Sequence, residues 1–333
     1  MNATNNGARA GGTTPKRTVQ RTVAGAVLAA VLLGSAACST TRDASEFFVP
    51  GDAGTLVVDG MLLVGRPFSR VVVSRVLPAG DVYSADAAAE RGATVNVIST
   101  TTGITVHYLE STVPGTYLPL DATGLTVMPE QEYQLSVTTS GGTSVTSRTT
   151  TPAAFQIDSW LLLEADALTV RRELETFASA GDSVYSQPAN QLVYADGLLE
   201  ARFSRPAVEG FEVGISSLDL DSDFVIEPEF FSQEDFDNIK RDGSSPPLEA
   251  VDGTARLPWF AIFFEGRYKI RILALDHNSF DYVRSIARAD GGFSFGGSPG
   301  DRFERPVFHV QGGIGLFGSA SADSVGFFVH PRP

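Results

Sequence analysis

The residues best suited to chemistry in this sequence are four histidines, a serine in a glycine-rich run and three closely spaced aspartates. The histidines are His107, His277, His309 and His330. They have no H-x-x-x-H or H-E-x-x-H spacing, the arrangement that places two metal ligands on one helical face. The sequence alone therefore predicts neither a catalytic nor a metal site from them, and each is interpreted as a hydrogen-bonded strand or loop residue.

Alternating aspartates at Asp219, Asp221 and Asp223 resemble the start of a calcium-binding loop, where such carboxylates converge on one cation. An EF-hand would also need Gly at its sixth position and Glu at its twelfth, but Phe224 and Phe230 stand there. The three aspartates are therefore weak metal candidates, and a solvated strand end is the favoured interpretation.

Ser298 lies in Gly-Gly-Ser-Pro-Gly, which matches the G-x-S-x-G motif of a nucleophile elbow. An elbow places its serine between a buried strand and a helix, whereas Ser298 precedes Pro299 in a glycine-rich loop with no helix after it. The 39 acidic residues single out no pair of glycosidase carboxylates. An envelope hydrolase is thus a disfavoured alternative.

The run Gly313-Ile-Gly-Leu-Phe-Gly318 matches the G-x-G-x-x-G motif of a dinucleotide-binding turn. Such a turn needs a helix after it and an acidic residue about 20 positions further on. Residues 319–324 are too few for that helix and lead directly into the strand predicted over 325–329, and the chain ends at Pro333, so no nucleotide is expected. Gly312, Gly313, Gly315 and Gly318 are interpreted as structural glycines that let the chain turn and approach a neighbouring strand.

Residues 1–37 are predicted to be an export signal. A basic region without acidic residues precedes an apolar run at 23–33, and small residues then lead into Cys38. Eleven apolar residues rise about 16 Å as a helix, about half of a bilayer core, which is typical of a signal and too short for a membrane span. Small residues before a cysteine resemble the lipobox of bacterial lipoproteins.

Cys38 is the only cysteine, so the chain has no intramolecular disulfide and no multi-cysteine metal site. We expect it to be lipidated, with fatty acyl chains such as palmitate. Ser35 stands at position −3, where the lipobox usually has Leu, and a signal that is cut without lipidation is the alternative.

The formal net charge is −14, and loss of the leader with its four basic residues makes the mature chain more acidic still. So acidic a surface repels phosphate backbones, and nucleic-acid binding is excluded on this ground.

Residues 38–54 are predicted to be a tether, and residues 55–152 an immunoglobulin-like β-sandwich. Seven short runs rich in Val, Thr, Ile and Tyr follow one another between turn signals. They are 56–62, 70–74, 93–98, 104–109, 115–118, 133–137 and 145–147. Seven strands within about 95 residues is the count of that fold.

Residues 153–333 predict a second β-rich domain with an aromatic core or binding face, since 17 of the 22 Phe lie at or after Phe203. The predicted strands are 157–163, 191–194, 199–203, 211–216, 259–264, 268–275, 307–310 and 325–329. Two short helices are predicted, one from Ser232 to about Arg241 and one over 280–288 capped by Asn278 and Ser279.

The chain resembles the domain-of-unknown-function family 4249 of envelope lipoproteins in three features. They are the leader ending at Cys38, the strand-like segments at 56–63, 70–75, 92–98, 115–119 and 130–137, and the closing run at 305–321. Its C-terminal glycine run usually begins Asn-Ile, where this chain has His309 and Val310. The resemblance implies no reaction and no catalytic residues. It implies an accessory or ligand-capturing role beside TonB-dependent outer-membrane transporters, and it makes the four glycines a signature of the fold.

The sequence therefore predicts a lipid-anchored outer-membrane accessory or binding protein, on the periplasmic or surface side, without catalysis or cofactor. Its expected partners are the membrane, through the lipid, and a transporter or surface ligand. The alternative is a glycan-binding surface lipoprotein, in which Trp259, Tyr268, Tyr282 or surface Phe residues stack on sugar rings.

Overall fold

The computed structural model describes residues 53–78, 80–120, 123–225, 239–257, 259–285 and 306–333. The predicted leader, all of the predicted tether except Ala53 and Gly54, most of the predicted helix after Ser232 and the loop around Ser298 lie outside these ranges. Within them the protein is mainly β, as predicted. The described residues all belong to one compact unit.

The first seven strands form an immunoglobulin-like sandwich. They are β1 (Leu56–Leu63), β2 (Val71–Arg75), β3 (Thr94–Ser99), β4 (Thr105–Glu110), β5 (Thr116–Leu120), β6 (Glu132–Thr138) and β7 (Ser144–Thr150). Their order in the sheet is β1-β2-β5-β4-β3-β6-β7. Immunoglobulin domains place the first, second, fifth and fourth strands in one sheet and the third, sixth and seventh in the other. Here β4 pairs with both β5 and β3 and so joins the two sheets.

A tyrosine at the start of β6 supports the same assignment. The Tyr133 hydroxyl accepts a hydrogen bond from the backbone N–H of Met128, at 2.9 Å, in the connection that leads from β5. Immunoglobulin-like domains carry a tyrosine corner at this place. Leu135, two residues further on, is fully buried where antibody domains have the second cysteine of their disulfide. Apolar packing thus holds the two sheets together.

Most of the remaining strands form two sheets that face each other across an aromatic core. They are β8 (Ser159–Leu163), β9 (Val170–Glu173), β10 (Gln191–Val193), β11 (Leu198–Arg202), β12 (Gly210–Ser217), β13 (Asp242–Ser244), β14 (Thr254–Leu257), β15 (Gly266–Leu275), β16 (Val310–Gln311) and β17 (Ile314–His330). One sheet has the order β14-β11-β8-β9, and the other runs β13-β12-β15-β17. Between them Phe155, Phe203 and Phe211 meet with ring centroids 5.0–5.7 Å apart. The short β16 instead pairs with β7.

Strand β17 belongs to both halves of the molecule. Its residues 314–320 pair in parallel with β1, and its residues 320–329 pair antiparallel with β15. Phe317 is buried in the core of the first sandwich, whereas Val325, Phe327 and Val329 are buried in the second core. The other buried residues of the first core precede the predicted boundary at 152, and those of the second follow it. One strand therefore crosses a boundary that the two cores otherwise respect.

Three short α-helices are described: α1 (Ala85–Ala88), α2 (Phe177–Ala180) and α3 (His277–Ser285). Helix α3 begins three residues before the predicted start, and its cap is Asp276, whose carboxylate accepts the Ser279 N–H at 2.9 Å. The expected cap at Asn278 and Ser279 is wrong because both residues lie inside the helix. Asp276, Asn278 and Ser279 all have side chains that can cap a helix, so the sequence pattern alone does not distinguish them.

Some predicted strands differ in the structure. Residues 259–261 form a 3₁₀-helix, so the strand predicted over 259–264 is wrong. The Trp259 indole N–H donates to the Gly197 carbonyl, at 2.6 Å, and so holds this turn to the residue before β11. Of the strand predicted over 307–310, only Val310 pairs. Strands β9, β13 and β14 were not predicted, because they are only three or four residues long. Strands β9 and β13 also lack an alternating apolar pattern.

Candidate metal centre

The aspartates at 219, 221 and 223 do not form a group of metal ligands within the described ranges. Arg267 engages the Asp219 carboxylate through Nε at 2.8 Å and Nη2 at 2.6 Å, and its backbone N–H adds a third bond at 2.7 Å. These bonds lower the pKa of Asp219 by more than partial burial raises it. The Asp219 carboxylate therefore forms an ion pair with Arg267, and this pair holds β15 to the segment that follows β12.

The four signature glycines lie where β16 turns into β17 and along the first part of β17. Gly312 and Gly315 have φ of +80° and +110°, which L-residues with a Cβ rarely adopt. A Cβ on Gly315 would meet the Val58 carbonyl oxygen of β1, and one on Gly313 would lie 2.6 Å from the Leu56 carbonyl oxygen. A Cβ on Gly318 would meet the Ser279 hydroxyl of α3. In this structure the glycines permit β17 to lie against β1 and α3.

A buried polar cluster fixes α3 against both halves. Thr149 Oγ1 lies 2.6 Å from Asp276 Oδ2 and 2.7 Å from Ser319 Oγ. Asp276 Oδ1 accepts the backbone N–H groups of Ser279, at 2.9 Å, and Ser319, at 3.0 Å. The four residues are buried, so each of these hydrogen bonds is costly to lose. Asp276 thus caps α3 and joins it to β7 and β17 at the same time.

Two histidines and an aspartate meet beside this cluster. His309 Nε2 lies 2.7 Å from Asp281 Oδ2, and His277 Nε2 lies 3.4 Å from the same oxygen. The three ligand atoms all lie within 4.8 Å of one another, the one such group of potential metal ligands within the described ranges. His277 and Asp281 stand one turn apart on α3, where i and i+4 share a face.

Each of the two residues from α3 has a second partner. His277 Nδ1 lies 2.7 Å from Glu209 Oε1, which comes directly before β12. Arg284 donates to Asp281 Oδ1 from Nε at 2.8 Å and from Nη2 at 2.6 Å. Oδ2 of Asp281 is therefore the oxygen that faces the histidines.

Burial and hydrogen bonding act on the Asp281 carboxylate in opposite directions. Its side chain is only 6% exposed, and this burial raises the pKa. The hydrogen bonds from His309 and Arg284 lower the pKa by more, so it lies below its usual value. Asp281 is consequently a carboxylate at neutral pH and can act as an ion-pair acceptor or a metal ligand.

Two imidazole nitrogens and one carboxylate oxygen are a ligand set that suits Zn²⁺ and related divalent transition metals. The same atoms can also form an ion pair when an imidazole is protonated. The sequence did not indicate this group, because 28 residues separate Asp281 from His309. The spacing H-x-x-x-D at 277–281 was the one local signal, since both residues face the same side of a helix.

The aromatic residues proposed to stack on sugars have other surroundings. Tyr268 is buried, and its hydroxyl bonds to the Phe264 backbone. Trp259 is half-buried, with its ring edge against Tyr194 at a centroid distance of 5.9 Å. Tyr282 is also half-buried. Of these three side chains, Tyr268 cannot stack on a sugar in this conformation.

No helix within the described ranges is long and apolar enough to cross a membrane. A family model described as "Domain of unknown function (DUF4249)" matches residues 45–325, which is most of the chain. The chain belongs to the DUF4249 family. The described part of this DUF4249 protein lies almost entirely within the matched region, which includes His277, Asp281 and His309. No curated protein matches the chain.

Several solved structures share limited similarity with this DUF4249 protein. They include a 1.5-MDa bacterial ice-binding adhesin (10% identity, TM-score 0.20), the FN1–FN3 domains of chicken CNTN1 (11%, 0.21) and trypsin-activated alpha-2-macroglobulin from Escherichia coli (9%, 0.22). The alignments cover 85%, 67% and 84% of this chain, and 60%, 62% and 16% of those chains. The fold assignment therefore rests on the strand order and the tyrosine corner described above.

Proposed function

We propose that this DUF4249 protein is a lipid-anchored, non-enzymatic binding protein of the outer membrane that assists a TonB-dependent transporter. The observation that carries the proposal is the predicted leader, which ends at Cys38, the one cysteine of the chain. A thioether to lipid gives this cysteine a function in an exported protein. The family resemblance supplies the transporter as partner.

The architecture supports an anchored binding role. The predicted tether precedes β1 in the sequence, and β1 pairs along its length with β17, the strand that both halves share. An anchor at Cys38 would thus hold the two halves through one connected sheet.

The outer face of the first sandwich also exposes neighbouring leucines. Leu109 of β4 and Leu118 of β5 are cross-strand partners, and Leu120 follows on the same face of β5. They are 62%, 47% and 47% exposed. Single exposed apolar side chains are common on any protein surface, whereas adjacent ones are more typical of a surface that contacts another molecule. This supports binding as the mode of action.

The anchor is tested with the full-length chain and its Cys38→Ser variant in a Gram-negative host fed an alkyne-labelled fatty acid. We expect the unmodified chain to carry the label and to sediment with outer membranes. The Cys38→Ser variant should lose the label and leave the membrane fraction. A Ser39→Ala variant is the matched control and should behave as the unmodified chain. A labelled, membrane-bound Cys38→Ser variant, or an unlabelled parent chain, would refute the anchor.

The accessory role needs its own experiment, because a lipid anchor could exist without this partner. Detergent-solubilised membranes are purified through a tag on the chain and, separately, through a tag on a TonB-dependent transporter of the same cell. We expect each protein to bring the other in a fixed ratio. Failure in both directions, with the anchor intact, contradicts the transporter as partner.

A further inference from the structure

We propose that His277, Asp281 and His309 bind a divalent transition-metal ion of the Zn²⁺ class through His277 Nε2, Asp281 Oδ2 and His309 Nε2. This site goes beyond the proposed function and does not depend on it.

One of the three spacings between the ligand atoms already matches the value for such an ion. Zn²⁺ bound tetrahedrally at about 2.0–2.1 Å from nitrogen and oxygen holds its ligand atoms about 3.3 Å apart. His277 Nε2 is already 3.4 Å from Asp281 Oδ2. His309 Nε2 is 2.7 Å from the same oxygen, a hydrogen bond that the ion would replace. The side chain of His277 is 58% exposed and has room to turn toward the ion.

The outer contacts are those of a metal site. A histidine ligand commonly donates its other ring N–H to a carboxylate, which fixes the tautomer and raises the basicity of the ligating nitrogen. Glu209 occupies that position on His277 Nδ1. Arg284 holds Asp281 Oδ1 and leaves Oδ2 as the single ligating oxygen. The negative charge of Glu209 offsets the positive charge of Arg284, so Arg284 does not make the surroundings of Asp281 repel a cation.

The elements that carry the ligands are fixed before any ion binds. Helix α3 is held by the buried cap at Asp276. The backbone of His309 is held by β7, since Ser147 Oγ donates to the His309 carbonyl at 2.6 Å and Val310 pairs with Ser147. Preorganised ligands lower the entropic cost of coordination. With three protein ligands and an exposed side, the remaining position would be filled by water or by a ligand from outside.

The test uses the full-length chain in detergent, stripped with a chelator. Zn²⁺ binding is measured by calorimetry, and Co²⁺ is substituted to read the coordination geometry from its visible absorption. We expect one ion per chain and a tetrahedral Co²⁺ spectrum. His277→Ala should weaken binding by more than about 100-fold, and Glu209→Gln by about 10-fold, as expected for an outer-shell partner. His107→Ala and His330→Ala are matched controls that should leave the affinity unchanged.

Thermal unfolding separates loss of the site from loss of the fold. Without metal, His277→Ala should unfold at the same temperature as the parent chain, because its side chain is mainly exposed. Zn²⁺ should raise the midpoint of the parent chain and not that of the variant. Equal binding by the parent and the His277→Ala/His309→Ala double variant would overturn the proposal. So would the absence of binding by the parent, which would leave an ion pair only.

Discussion

The two halves of the molecule are both built from facing β-sheets, but they differ in how far apart along the chain their paired strands lie. In the first sandwich β3–β4, β4–β5 and β6–β7 are pairs of consecutive strands. In the second half β12 pairs with β15, β15 with β17, and β11 with β14. The first half therefore depends mainly on local pairings and the second on distant ones.

This difference has a consequence for the first half as well. One edge of its β1 is covered by residues 314–320, from the far end of the chain. An uncovered strand edge is open to unwanted pairing, so the first sandwich is incomplete until the last strand has been made. The first half, whose strands have the clearer sequence pattern, therefore still needs a strand from the end of the chain to complete its sheet.

The largest effect is expected where β17 joins β1. Gly315→Ala places a Cβ against the Val58 carbonyl oxygen at a φ of +110°. Because neither the β1 backbone nor that φ can accommodate the methyl group, we expect a loss of more than about 3 kcal/mol in unfolding free energy. Urea denaturation of the two proteins measures this.

Gly142→Ala is the control for that substitution. Gly142 also has a positive φ, +84°, but no atom lies within 4 Å of the position of its Cβ. The strain alone should cost about 1–2 kcal/mol. If Gly315→Ala costs no more than Gly142→Ala, close packing of β17 on β1 is not important for stability.

Effects of similar size are expected in the two cores. Phe317→Ala empties a site in the first core and Phe327→Ala one in the second, and each should cost about 3–5 kcal/mol. Because both residues are on β17, we expect each variant to unfold in one transition that probes of both halves report together. Calorimetry reports the unfolding of the whole chain and tryptophan fluorescence reports the second half, which holds both Trp160 and Trp259, so coincident transitions in the two signals provide the measurement.

Two separate transitions, with Phe317→Ala shifting only the first half, would show that the shared strand does not couple the halves. A conservative Phe317→Leu variant should keep the single transition and lose less stability, since most of the volume remains.

A smaller effect is expected at the buried polar cluster. Thr149→Val removes the hydroxyl that bonds to Asp276 and Ser319, and leaving these partners unsatisfied should cost about 1–3 kcal/mol. Thr138→Val, on an exposed position of β6, is the control and should change stability by less than about 0.5 kcal/mol. The same denaturation assay compares them, and equal small losses would contradict a role of the cluster in stability.

Most of the first sandwich could be predicted from sequence because alternation and turn residues are local signals. All seven of its strands lie within a few residues of the predicted positions. The second half was predicted less well, since aromatic runs such as 259–264 fit a buried strand or a helical turn equally. The candidate site was not predicted, because no local pattern places His309 beside α3.

By itself the sequence determined the mainly β class and the seven-strand first sandwich, because strand periodicity and turn chemistry act over a few neighbouring residues. The family followed from the resemblance of its motifs and from the family model. The tertiary structure alone decided that β17 serves both halves and that His277, Asp281 and His309 meet. These contacts join residues far apart in the chain, and they are selected by packing and buried hydrogen bonding that exist only once the chain is folded.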